Sequence, residues 1–125
     1  MAEHNTIGKE GEEIAKSYLE NKGYSIIEQN YRTKRAEIDI IAKHKNVLVF
    51  VEVRTKHHEY YGTPEETINY TKRVRLMRNA VAYAHRIRYN GPWRIDAVCV
   101  VINQDEEPQR ISHYENIVES QSVDN

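Results

Sequence analysis

The 125 residues include one cysteine, one tryptophan, one phenylalanine and three prolines. A lone Cys99 excludes an intramolecular disulfide, and no paired Cys and His residues stand at the spacing of a structural zinc site. A reducing, cytoplasmic setting is the expectation. Long apolar runs are also missing. The longest, Ala97 to Ile102, is six residues, whereas a membrane span needs about 20 and the apolar core of a signal peptide about 7. The chain therefore reads as soluble, unexported and without a membrane partner. Its five glycines form no phosphate loop, dinucleotide fingerprint or nucleophile elbow, so those nucleotide-binding and hydrolase signatures are absent.

What is present suffices for one packed core. Hydrophobic residues make up 39% and charged residues 30%, with enough Ile, Val and Leu to exclude a wholly disordered chain. One domain over residues 1–119 is expected, followed by a disordered tail from 120 to 125. The net charge of -1 conceals an uneven distribution, because six of 19 acids and only one of 18 Lys/Arg follow residue 102. The stretch from Thr67 to Ile95 carries Lys72, Arg73, Arg75, Arg78, Arg86, Arg88 and Arg94 without an acid. Phosphate is the expected partner of such a stretch, and a solvated basic helix face is the competing explanation.

Helical spacing of Ile7, Ile14, Ala15, Tyr18 and Leu19 predicts a helix from Thr6 to Lys22, stopped by Gly23. Its buried arc includes Gly8 and Gly11, which implies close packing on a sheet, with Glu12 at the edge of that arc and Glu13 in solvent. Strands are predicted over Tyr24–Tyr31, Glu37–Ala42 and Val47–Arg54, the last two joined by a hairpin loop at 43–46. In the third strand Val47, Val49, Val51 and Val53 share one face, while Leu48, Phe50, Glu52 and Arg54 share the other. Thr63-Pro64-Glu65-Glu66 is a capping box opening a long helix to about Tyr89, interrupted near 69–71, with Leu76, Met77, Ala80, Val81, Tyr83, Ala84 and Ile87 inward. Strands over Trp93–Ile102 and Gln109–Tyr114 complete an α, β, β, β, α, β order with an added edge strand.

Acids on strands two and three need a physical explanation. An even-numbered hairpin loop pairs residues whose numbers sum to an odd value, which puts Asp39 opposite Glu52 on a shared face. Two neighbouring, partly buried carboxylates repel, and a divalent cation, a shared proton or a cationic neighbour relieves them. Arg54, two residues beyond Glu52, is that neighbour if the pair is structural. Acids, a cation and a basic helix together also suit phosphodiester hydrolysis, which needs metal ions and a cation near the developing charge. His57-His58-Glu59 is a weaker candidate for a transition metal. Tyr60, Tyr61, Tyr70 and Tyr89 interleave with the basic segment, read first as core caps and second as platforms for bases.

These residues carry a resemblance. Gly8-x-x-Gly11-Glu12, the run from Asn30-Tyr31-Arg32 to Glu37-Ile38-Asp39-Ile40-Ile41, Val49-Phe50-Val51-Glu52-Val53-Arg54, Lys72 and Arg94-Ile95-Asp96 resemble the YraN family of small bacterial proteins. That family is similar to the PD-(D/E)xK, or restriction-endonuclease-like, nucleases. The resemblance covers residues 5 to 115. It implies an α/β fold with an αβββαβ core, a mixed central sheet flanked by helices. It also implies Asp39 and Glu52 as acids that bind Mg²⁺ or Mn²⁺, with Glu12 as a further ligand, and Asp39, Glu52 and Arg54 as the catalytic set. Lys56, Lys72, Arg73, Arg75 and Arg78 are the expected nucleic-acid contacts.

The chain departs from the pattern at two places. Ala36 replaces the usual glycine before Glu37, and Arg54 replaces the usual lysine, with Lys56 following. Arginine stays protonated and cannot act as a general base. The expected function is nucleic-acid binding, DNA before RNA, extending to Mg²⁺-dependent cleavage. Its alternative is a non-catalytic binding or protein-interaction module on the same fold, and a homodimer is left open.

Overall fold

The computed structural model describes residues 2–118, with side chains from residue 8 onward. The tail expected from residue 120 lies outside the described residues. In chain order the elements are α1 (Ala2–Asn21), β1 (Ser25–Arg32), β2 (Glu37–His44), β3 (Val47–Lys56), a 3₁₀ turn (Glu65–Thr67), α2 (Tyr70–Arg86), β4 (Trp93–Ile102) and β5 (Pro108–Tyr114). The strands form one mixed sheet in sequential order, with β3 and β4 parallel and every other neighbouring pair antiparallel. This is the expected α/β architecture, an αβββαβ core with β5 added at the edge. Among the described residues no helix is long and apolar enough to cross a membrane.

The alternation in β3 decides the layering, since Val49, Val51 and Val53 pack with Ala15 and Leu19 of α1 on one face. Leu48 and Phe50 pack with Leu76, Ala80 and Tyr83 of α2 on the other. A strand covered on both sides by helices is apolar at every position, as β3 is from Leu48 to Val51. The hairpin is tighter than expected. Its turn is Lys45-Asn46, both residues in the left-handed region at φ 51° and 67°, as a two-residue turn between twisted strands requires. The strands consequently run on to His44 and resume at Val47.

Two further expectations shift, and the break near 69–71 falls where it was expected. The capping box forms, with Thr63 N–H donating to Glu66 Oε1 at 2.9 Å and Glu66 N–H to Thr63 Oγ1 at 3.2 Å, but it caps only the 3₁₀ turn. Asn69 then caps a separate α2 by accepting from Lys72 N–H at 2.9 Å. Val81 and Ile87 are about half exposed, and Asn79 takes an inward place, donating from Nδ2 to the Glu37 carbonyl at 3.1 Å. Val81 is too far round the helix from Ala80 to reach the sheet, and Ile87 follows the last helical residue, next to the left-handed Arg88 at φ 56°.

Candidate functional site

Antiparallel pairing places the start of β2 beside the end of β3, so the polar ends of both strands meet. The ladder runs from His44 opposite Val47 to Ile40 opposite Val51. Beyond it, the Val53 N–H donates to Asp39 Oδ2 at 2.8 Å instead of to a carbonyl. Asp39 is thereby held against the backbone of β3 and within hydrogen-bonding reach of the Glu52 carboxyl. Glu52 is buried. Its Oε2 lies 3.0 Å from Arg54 Nε and 3.4 Å from Lys72 Nζ on α2. The Arg54 Nε–H is not aligned on that oxygen and makes no hydrogen bond, so the contact is coulombic.

α1 adds a third acid because Gly11 permits it. A Cβ at Gly11 would overlap Thr55 Oγ1 and lie 2.8 and 2.9 Å from Thr55 Cβ and Cγ2. The helix can cross the end of β3 at this distance only without a side chain there. Glu12, the next residue, then lines a cleft of about 430 Å³ together with Asp39, Arg54, Lys56 and His57. Asn30, left-handed at φ 53° in β1, hydrogen-bonds the Glu12 carboxylate. Glu13 is exposed, as the helical arc predicts.

Burial pushes Glu52 up to about 7, with the Asp39 charge adding to it and Lys72 and Arg54 pulling it back in part. Burial also raises Asp39, against the Val53 N–H and the hydrogen bond from Glu52. Glu12 is raised to about 7 by burial first and then by the charge of Asp39. Two adjacent carboxyls that resist double ionisation share a proton or take up a cation. Arg54 does not bridge them, since it touches Glu52 only. Among the described residues no three His, Cys, Asp or Glu side chains converge as a metal group. Glu12 therefore stands beside the Asp39–Glu52 pair. The pair's hard oxygen donors suit Mg²⁺ or Mn²⁺, because magnesium keeps several waters and is commonly held by one or two carboxylates together with substrate phosphate.

The basic residues divide between two sides of α2. Lys72 and Arg75 line a groove with Arg32 at the end of β1, which pairs with Glu37 at 2.7 Å, and with Lys34 and Arg35 of the β1–β2 connection, and Arg75 and Arg78 continue along it beside Arg35 and Arg86. Arg73 points elsewhere, into a separate cleft with Glu65, Cys99 and Tyr114. The cations at 32, 34 and 35 escaped the sequence reading because their own stretch is short and includes no helix. Their alternation with Thr33, just before the Asp39 strand, is the one local signal. Ala36 closes that connection without a left-handed backbone. Thr33 N–H donates to its carbonyl at 2.8 Å and Thr33 Oγ1 accepts its N–H at 3.0 Å, so no glycine is required.

Other sequence candidates separate. His57 lines the carboxylate cleft, His58 stacks on Tyr60, and Glu59 pairs with Arg110 at 2.8 Å, so these three do not gather around a common point. Cys99 is buried in β4, and burial pushes its thiol up to about 12.

Fold and site together define a class of α/β proteins in which an αβββαβ core brings an acid of β2 next to an acid-x-cation strand at the end of β3. The sequence profile of Uncharacterised protein family UPF0102 matches residues 11–100. The chain belongs to this family, the YraN family. The UPF0102 protein of Thermodesulfovibrio yellowstonii is 40% identical over 110 residues, covering 88% of this chain and 93% of that one. The one from Phocaeicola vulgatus is 38% identical over 115 residues, covering 92% and 93%. That of Alkaliphilus metalliredigens is 43% identical over 109 residues, covering 86% and 96%.

Proposed function

We propose that this protein binds nucleic acid along the basic groove and uses the adjoining carboxylate cleft for divalent-cation-dependent phosphodiester hydrolysis. The supporting observation is the adjacency of Asp39, which lines the cleft, and Glu52, both resisting ionisation, with Lys72 of the basic groove reaching Glu52 at 3.4 Å. The groove's cations at positions 32, 34, 35, 75 and 78 suit a phosphate backbone, which fixes register without reading sequence. Asp39 and Glu52 would hold Mg²⁺ or Mn²⁺, which when bound neutralises phosphate and lowers the pKa of a coordinated water.

The chain's own residues have separable tasks. Lys72 offsets the charge of Glu52. Arg54, half-buried at the cleft wall, can donate to phosphate oxygens through the part of its fork that faces away from Glu52. It stays charged and so stabilises without exchanging protons. Lys56 lines the same cleft and supplies the second cation that the motif's reversed order moved along the strand. A binding module without catalysis is the second reading, favoured by the same Arg54 at the position of the usual lysine.

Fluorescence anisotropy with a labelled oligonucleotide tests the binding half. Affinity should fall steeply between low and physiological salt as neutralised phosphates release counterions, and Arg75→Glu with Arg78→Glu should weaken it. A flat salt response refutes the reading along with its catalytic extension. Mg²⁺-dependent cleavage by the wild type, lost in Asp39→Asn, separates the enzyme from the binding module.

A further inference from the structure

Tyr24, Tyr31 and Tyr83 are buried in the core, whereas Tyr70 and Tyr114 are partly exposed, at 61% and 41%. Tyr60 and Tyr61 go further, at 82% and 92% exposed. Isolated exposed apolar residues are ordinary, but these two rings are adjacent and sit on a turn tied down on every side. Gly62, at φ 133°, donates its N–H to the Glu59 carbonyl at 3.4 Å. Glu59 is fastened to Arg110 at 2.8 Å, and the turn ends in the reciprocal Thr63–Glu66 bonds. Tyr60 N–H donates to His58 Nδ1 at 3.4 Å, and the two rings stack at 4.4 Å and 25°. Tyr61 meets the same imidazole edge-on, at 6.2 Å.

Both ends of this turn open on the carboxylate cleft. Lys56 and His57 line it before the turn, and Pro64 and Thr67 after it. Cations that suit phosphate thus stand next to two exposed aromatic rings that suit a base. Paired bases are already stacked inside a duplex and present only their edges, whereas an unpaired base offers its whole face to a ring.

We infer that the nucleic acid taken here carries unpaired bases next to the cleft, and that Tyr60 and Tyr61 are the platforms on which they stack. This rests on the reading of the groove as a phosphate-binding surface. A single-stranded segment lying across the turn would place its backbone against Lys56 and Arg54 and its bases against the two rings. Because His58 already holds Tyr60, little side-chain freedom remains to be lost on binding.

The test compares a fluorescent single-stranded oligonucleotide with a blunt duplex of the same length. Tyr60→Ala with Tyr61→Ala should lower single-strand affinity by about 5- to 150-fold, the loss expected for one stacked base, and leave duplex affinity within about twofold. Tyr60→Phe with Tyr61→Phe should keep single-strand affinity, since stacking needs the ring and not the hydroxyl. Both pairs should melt close to the wild type, because both side chains are largely exposed and contribute nothing to the core. If alanine changes nothing, or weakens both forms equally, the inference is overturned. Provided that Arg75→Glu with Arg78→Glu still weakens binding, the groove reading then stands. If the wild type binds neither form, the groove reading fails and takes the inference with it.

Discussion

Replacing Glu52 by glutamine removes one charge from a buried pair at almost constant volume, and the structure sets both the sign and the size of the effect. Glu52 holds its proton up to about pH 7 in the folded chain, against an ordinary value of 4.5. Between those values the folded state binds more protons than the unfolded state, so stability falls as pH rises through the window. Each unit corresponds to about 1.4 kcal/mol, which makes the full penalty on the order of 3 kcal/mol above pH 7. That figure is already net of Lys72 and Arg54, because their attraction is part of what sets the value. Glutamine mimics the protonated acid at every pH and also relieves Asp39. Without divalent cations, Glu52→Gln should match the wild type near pH 4.5. At pH 8 it should be more stable by up to about 3 kcal/mol, or roughly 10 °C in Tm for a chain of this size. Calorimetric melts in EDTA across that range are sufficient. A variant that melts lower at pH 8 would refute the reasoning. It would mean that Glu52 chiefly balances Arg54 and Lys72 as a structural ion pair.

Gly11→Ala should destabilise by about 1–3 kcal/mol through its collision with Thr55, outweighing the gain of roughly 1 kcal/mol from alanine's helix propensity. Chemical denaturation measures it, and Thr55→Gly in the same chain should restore most of the loss. At the opposite edge of the sheet, Arg110 holds Glu65 down at about 2, with Tyr114 assisting. The contribution of Glu65 is therefore complete above its ordinary 4.5 and is lost as pH falls towards 2. Arg110→Met should raise the midpoint of acid unfolding followed by circular dichroism.

The layering was legible because β3 alternates two apolar sets, and a strand apolar on both faces has to lie between two layers. Asp39 and Glu52 were legible as neighbours from register parity alone, and the tighter turn at Lys45-Asn46 preserves that parity. Gly11 was legible as a close approach, although its partner, Thr55, was not. The break near 69–71 was legible, but a capping box marks a helical start and says nothing about how far the helix continues, so the shortness of the 3₁₀ turn was not. Asn79 lies beside the apolar arc of α2, one turn from Leu76 and Tyr83, and only its polarity made it read as a surface residue. It is buried because the Glu37 carbonyl, 42 residues away in sequence, needs a donor. The cations at 32, 34 and 35 reach the groove for a similar reason, because the β1–β2 connection folds over to face α2. Such long-range pairings follow from the assembled sheet and leave no periodic mark on the chain.

Asp39 and Glu52 acting together as a cation site is tested most directly by calorimetric titration of the intact chain with Mn²⁺ at pH 8. Binding to the wild type is predicted, together with its loss in both Asp39→Asn and Glu52→Gln, while Glu13→Gln, changed at a solvent-exposed carboxylate on the same helix as Glu12, binds normally. A wild type that takes up no Mn²⁺, or two carboxylate variants that bind it as the wild type does, would contradict the account.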